Sequence, residues 1–338
     1  MKEVALKFFN STGMRWGIPF VKLFSGDRIV EQLVVILKTS VIPVTSIVAF
    51  LLVWSFTASQ ITTSLGQVPG PGMVWDQAKS LWAEHRVERA KEAEFYARQE
   101  RRNEAKLAGN SKARIRVMDY TGKPTYIDQI ITSLKTVFMG FVIASVIALP
   151  LGIVCGLSQT VMRAFNPLIQ IFKPVSPLAW LPIVTMVVSA VYISNDGFFA
   201  KSFIISAVTV SLCSMWATLI NTALGVASVN TDYINVAKVL QLSPWKKTFK
   251  ILLPATLPLI FTGLRISLGV GWMVLIASEM LAQNPGLGKF IWDEFQNGSS
   301  HSLARIMVAV FTIGIIGFIL DRVMVELQKQ VSFERQKA

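Results

Sequence analysis

The chain predicts an all-α polytopic membrane protein with about six transmembrane helices, and three observations carry that prediction. Its 338 residues are 52% hydrophobic and only 16% charged, and the mean hydropathy of +0.52 exceeds what a soluble domain of this length shows. Runs near the roughly 20 apolar residues that a bilayer requires occur at 36–57, 132–157, 176–194, 201–225, 255–282 and 303–323. Lysine and arginine gather on one side of a six-span drawing: Lys2, Lys7, Arg15, Lys22 and Arg28 at the start, Arg163 and Lys173, then Lys238, Lys246, Lys247 and Lys250, and Lys329, Arg335 and Lys337 in the tail. That asymmetry puts both termini in the cytoplasm.

Taken in order, residues 1–35 form a cytoplasmic segment and 36–57 the first span, with Lys38 snorkelling at its cytoplasmic end. No small-x-small site closes this span, so it reads as an anchor and not as a cleaved leader. An extracytoplasmic loop, 58–130, follows. Within it QVPGPGMVW (67–75) is a Pro/Gly turn leading into a helix. The stretch 84–116 is dense in charge of both signs, with Glu94 four residues before Arg98, Glu88 three before Lys91, and Gly109-Asn110 as a stop. It reads either as a solvated helical insertion or as a docking surface for a partner outside the membrane. Residues 131–325 carry the remaining five spans, and 326–338 form a cytoplasmic tail.

Several function classes are poorly supplied. The net charge of +13 forms no basic stripe interleaved with base-stacking aromatics, so nucleic acid is not an expected partner, whereas anionic lipid headgroups are. Cys155 and Cys213 sit inside apolar runs, and His85 and His301 lie outside the spans. These residues suggest neither a disulfide framework nor a metal site, and no catalytic residue is assigned. The string NPGLGKF (284–290) lacks the spacing and hydroxyl of a phosphate-binding loop, so the chain is not expected to hydrolyse ATP. Ionisable residues in or near the spans are few: Lys38, Arg265, Glu279 and Asp321.

One polar stretch between spans stands out. In NVAKVLQLSPWKKTFKILLP (235–254), residues 234–241 have helical composition, Ser243-Pro244 favours a turn and a helix start, and Trp245 to Leu253 forms a second amphipathic helix. Pro254 then falls where the loop gives way to the fifth span. Such a surface helix could rest on lipid headgroups. The stretch also resembles the cytoplasmic coupling loop of ABC importer permeases, whose pattern is E-A-A, three residues, G, nine residues, I-x-L-P. The matching positions here are Asn235, Val236 and Ala237, then Gln241, then Ile251, Leu253 and Pro254. Asn235 replaces the acid and Gln241 the glycine, whose left-handed bend Gln reaches only at a cost of about 1 kcal/mol or more.

Residues 131–184, with Pro174, Pro177 and Pro182, and residues 263–298 are similar to the nitrate, sulfonate and bicarbonate type of these permeases. The resemblance implies a type I (MetI-like) permease core with a coupling loop at 226–254. It implies an ATPase subunit, which uses ATP and Mg on its own chain, and a periplasmic or lipid-anchored substrate-binding protein. A second permease copy in the inner membrane of a prokaryote is implied as well. No cofactor is assigned to this chain. The resemblance marks Asn235, Ala237, Gln241 and Leu242 as ATPase contacts, with Trp245 and Pro254 fixing the loop to the membrane.

Arg265, Trp272, Met273 and Glu279 are the pathway or gate candidates. Unpaired in lipid, Arg265 would cost at least about 2.5–3.5 kcal/mol, so it faces a structural partner, water or an anion. Glu279 reads as a pair across the dimer or as a holder of the PGLG loop. Trp272 and Met273 read as packing residues or a gate, and Gly263, Gly269 and Gly271 as sites of close helix approach. The expected cargo is a small anion, nitrate first, then bicarbonate, cyanate, taurine or another sulfonate. The alternative is a stand-alone carrier or channel.

Overall fold

The computed structural model describes residues 31, 34–35, 37–63, 66–109, 115, 117–192, 200–299 and 301–331. Expectations about residues 1–30 and 332–338 lie outside them. The chain divides into two units, 1–75 and 76–338.

In the first unit, a π-turn (Leu37–Val41) runs into α1 (Ile42–Gln60). Pro43 has no amide donor, and the wider turn just before it keeps the carbonyls clear of its ring. α1 is apolar on all its faces, and Ala58 is its buried residue. A short antiparallel ladder follows, β1 (Thr62–Thr63) with β2 (Gly66–Gln67). The helix α2 (Pro71–Gly109) starts at the predicted Pro/Gly turn and stops at Gly109. The unit boundary falls within it.

The second unit is built on a three-helix core. Its members are α3 (Tyr126–Leu157), α6 (Lys201–Ala227) and α9 (Leu253–Ala282), with α6 packed against both others. The face of α6 carries small hydroxyl residues, Ser206, Thr209, Ser214, Thr218 and Thr222, all buried. Small side chains let backbones approach, which is what packing in lipid requires. At Gly140 a Cβ would stand 2.7 Å from the Ala207 carbonyl oxygen, and at Gly263 it would stand 3.1 Å from that of Ala217. Gly271 also faces α6, but Gly269 meets nothing within 4 Å. The close-approach reading therefore fails at Gly269. Ser267 Oγ donates to the Ser214 carbonyl across the same seam at 2.8 Å.

The remaining elements frame this core. α3 begins with a capping box between Thr125 and Asp128. α4 (Gln159–Phe172) and α5 (Pro177–Val191) meet at 101°. The third predicted span, 176–194, is occupied by α5, which has 15 residues, about 22 Å at 1.5 Å per residue, and forms with α4 a bent pair. Pro174 and Pro177 flank Ser176, whose Oγ accepts from the Leu178 amide at 3.3 Å, and this arrangement breaks the passage into a bent pair. Among the described residues five helices are long and apolar enough to cross a membrane, or six if the bent pair counts as one span. After the loop before α9 come α10 (Leu287–Asn297) and α11 (Ser302–Val331), numbered after α7 and α8 described below. Gln328 Nε2 on α11 donates to the Pro258 carbonyl on α9 at 3.1 Å. The end of α11 thus lies beside the start of α9.

Candidate functional site

The loop before α9 is a bent pair of short helices. α7 (Thr231–Val239) is closed by Gln241 at φ 47°, the left-handed region. The Leu242 amide donates to the Ala237 carbonyl at 3.0 Å, and the Leu240 amide to the Val236 carbonyl at 3.0 Å. This is the bond pattern of a helix closed by a left-handed residue, where glycine is usual. The bend is thus retained with Gln241 carrying the strain. Ser243 starts the second arm: its carbonyl accepts from the Lys247 amide at 2.9 Å. α8 (Pro244–Lys247) passes into a π-turn (Thr248–Leu252) and then into α9 without a break. The Leu253 amide bonds to the Thr248 carbonyl. Pro254 is therefore inside a continuous helix, accommodated by the widened turn, and not at a loop boundary.

Burial separates the loop residues into two sets. Ala237 is 2% exposed, whereas Asn235 and Val236 are exposed. Among the described side chains of α7, Ala237 alone is buried, and α7 packs against the π-turn. Ala237 therefore belongs to the closure of the loop and is not presented outward. Leu242, Ile251, Leu253 and Pro254 are half-buried. The outward apolar surface is instead Val236, Val239 (81% exposed), Leu240 (62%) and Trp245 (73%), the last with its ring 4.5 Å from that of Phe249. Val239 and Leu240 were missed by matching the motif alone; their apolar character beside the bend is the signal that finds them.

Of the pathway candidates, Arg265 and Trp272 line one cleft, while Met273 and Glu279 lie apart from it. Arg265 is paired with Asp321 of α11 through both carboxylate oxygens, with Nη2 to Oδ2 at 3.0 Å. Within one copy its charge is thus met by a structural partner, the first of its expected alternatives. A cleft of about 200 Å³ beside it is lined by Gly269, Trp272 and Gly317. Trp272 is buried, and its Nε1 donates to the Ile313 carbonyl at 3.0 Å. It is a clamp between α9 and α11. Met273 is 76% exposed and shares a helix face with exposed Ile266 and open Gly269.

Glu279 is fully buried within one copy of the chain. Its carboxylate accepts from Ser133 Oγ of α3 at 2.8 and 2.9 Å, from the Gly288 amide at 3.0 Å and from Asn284 Nδ2 at 3.5 Å. Ser133 Oγ in turn accepts from the Leu287 amide at 2.9 Å. Gly286, the N-cap of α10, offers no side chain, so Glu279 and Ser133 satisfy the free amides of that helix end. Within one copy Glu279 holds the PGLG turn, as one of its two structural readings expected.

Comparison with known proteins agrees with this architecture. Residues 148–332 match the family model "binding-protein-dependent transport system inner membrane component". The nitrate import permease protein NrtB of Leptolyngbya laminosa is 37% identical over 209 residues, which are 62% of this chain and 70% of that protein. The bicarbonate transport system permease protein CmpB of Synechococcus elongatus is 35% identical over 291 residues, 86% of this chain and 88% of its own. Among solved structures, the MetNI methionine ABC transporter in an inward-facing form matches with a TM-score of 0.51 at 15% identity, covering 61% of this chain and 95% of that one.

Proposed function

Because the chain belongs to the binding-protein-dependent transport inner membrane components and is the permease component of an ABC importer, we propose that two copies of it form a pathway for a small anion. Nitrate and bicarbonate lead the candidates, since they are the cargoes in the names of its relatives; cyanate, taurine and other sulfonates follow. A separate ATPase subunit supplies the work, with ATP and Mg on that subunit, and a soluble or lipid-anchored binding protein delivers the anion. The protein sits in a prokaryotic inner membrane with both termini in the cytoplasm.

The observation that carries this reading is the loop at 231–252. A rigid bend continuous with α9 presents Val236, Val239, Leu240 and Trp245 outward, a costly exposure unless a partner covers it. Movement of an ATPase against that knuckle passes along one uninterrupted helix. The face of Ile266, Gly269 and Met273, unpartnered within one copy, is where the second copy and the pathway are assigned.

The test is purification of the tagged protein in mild detergent with mass spectrometry of what accompanies it. Val239→Asp with Leu240→Asp should leave membrane insertion intact and remove a co-purifying ATPase. An ATPase retained by that variant would overturn the coupling role of the loop, whereas none with the parent would favour a stand-alone carrier.

A further inference from the structure

The long helix α2 has no part in the loop or in the hydrogen bonds of Glu279, and the family match at 148–332 does not reach it. Taken from Asp76 onward, it is tied to the bundle by side-chain bridges at its base. Arg305 at the start of α11 contacts Glu84 and, at 3.2 Å, Glu294 of α10. Arg89 Nη2 donates to Asp128 Oδ2 of α3 at 3.1 Å, and His85 Nδ1 lies 2.7 Å from Thr125 Oγ1. Every anchor sits at the end of the bundle where α3, α10 and α11 begin and α9 finishes. The loop at 231–252 lies at the other end, where α9 begins and Gln328 closes α11 against it. The arm and the loop therefore occupy opposite faces of the bundle.

Beyond Phe95 the arm is braced by the returning chain. The Met118 amide donates to Gln99 Oε1 at 2.7 Å, the Tyr120 amide to Tyr96 Oη at 3.2 Å, and the Tyr120 hydroxyl to Glu88 Oε1 at 2.7 Å. Between helix and returning chain lies a cleft of about 410 Å³ lined by Arg98, Arg102, Lys106, Gln99, Asn103 and Met118, with no acidic side chain. Arg98 makes a long ion pair, 3.8 Å to Glu94, and its Nε donates to the Glu94 carbonyl at 3.4 Å. Among the described residues Arg102 and Lys106 have no acidic partner. Glu100 and Glu104 lie on the opposite side of the helix, because residues two apart are turned by about 200°. The distal arm is thus a braced row of cations facing one way.

We propose that this row, Arg98, Arg102 and Lys106, docks an acidic surface of the binding protein that brings the anion to the permease. The inference rests on the importer reading, and it commits to this partner for two reasons. The arm stands on the face opposite the ATPase knuckle, where a delivered substrate must enter. A braced cationic cleft also recognises carboxylates of a protein surface through several oriented donors at once. Docking there is felt at the mouth of the bundle, because Arg305 links the arm to both α10 and α11.

The experiment uses the intact complex in its own membrane. A photo-crosslinking amino acid replaces Lys106, and the captured protein is identified, its crosslinked peptide mapped, and the protein then purified. Its stimulation of ATPase activity is next titrated against the parent complex and R98E/R102E/K106E, both reconstituted in uncharged-lipid nanodiscs. The expected result is a midpoint raised about tenfold or more at low salt, a difference that shrinks at high salt. Basal ATPase activity should be unchanged, and lysines placed at the mapped acids of the partner should restore the midpoint. An unmoved midpoint overturns the inference, as does crosslinking to lipid, to this chain or to a second copy. Absence of any ATPase from the purified parent complex is a separate result, which would strike the importer reading itself.

Discussion

Replacing Glu279 with alanine should be the most damaging change of a single side chain in the second unit. The carboxylate is the last-turn acid of α9, where the helix dipole disfavours it, and it lies against the free amides that open α10, where a dipole favours it. Removing it leaves the Gly288 amide buried without an acceptor, which costs about 1–3 kcal/mol. It also cancels the Ser133 bond between α3 and α9, worth about 0.6–1.7 kcal/mol for a polar contact between membrane helices. Ser133 can turn its hydroxyl toward its own helix, so the lower part of that range applies. The vacated volume adds about 1 kcal/mol, and the sum is roughly 3–4 kcal/mol. In a domain of this size that lowers the melting temperature by about 6–16 °C, readable by thermal unfolding in a mild detergent. Glu279→Gln keeps one acceptor and should lose about half as much. If Glu279→Ala melts within about 1 °C of the parent, the carboxylate does not hold the turn, and the argument from the α10 amides fails.

Gln241→Gly relieves a left-handed residue worth about 1–2 kcal/mol, offset by roughly 0.5–1 kcal/mol of added chain freedom; amide exchange at Leu242 should slow slightly, while Gln241→Val should accelerate it. Arg265→Ala and Asp321→Ala should each destabilise more than the pair of changes together, a sign of coupling that a double-mutant cycle reads directly. Transport by the double variant should then depend on anion concentration as the parent does, since Arg265 is not a free charge. At the base of the arm, the Tyr120 hydroxyl holds the Glu88 carboxyl below its ordinary range, and the same bond raises Tyr120. A depressed carboxylate contributes above its unfolded value and loses its contribution as pH falls through the folded one. Amide protection factors at residues 118–122, taken against intrinsic exchange at each pH, should therefore fall with acidification below the usual glutamate range, and Tyr120→Phe should abolish that dependence.

The spans were legible because lipid demands uninterrupted apolar length, and that demand is written residue by residue. The α2 helix was legible in the same way, from Glu-to-basic spacings at three and four residues that recur as Glu88–Lys91 at 3.3 Å and Glu94–Arg98 at 3.8 Å. The sharp bend ahead of the third span was not legible, because 176–194 is apolar throughout and a hydropathy window does not weigh the two prolines of KPVSP against helix continuity. Pro254 was assigned to a boundary because a π-turn has no composition of its own. The partners of Arg265 and Glu279 were illegible for another reason: Asp321 lies 56 positions from Arg265, and Ser133 lies 146 from Glu279. One sequence carries no record of such distant pairs, although burying Arg265 in lipid at a cost of about 2.5 kcal/mol or more did require that a partner exist.

The strain at Gln241 and the knot at Glu279 bear on the two ends of the same helix. α9 runs from the π-turn at Thr248–Leu252 to the left-handed Gln283 that closes it. Along its length it is held to α6 by the Gly263 contact and the Ser267 bond, and to α11 by Trp272 and Arg265. A helix clamped in this way moves as a rod and does not flex between its ends. A displacement of the loop is then passed to the PGLG turn, to α10 and, through Arg305, to the base of α2. Weakening the knot should therefore uncouple the far end while leaving the loop folded. Stimulated ATPase activity in Glu279→Gln should fall relative to basal activity by more than the loss of stability accounts for. Equal losses of the two activities would mean that α9 does not act as a rod.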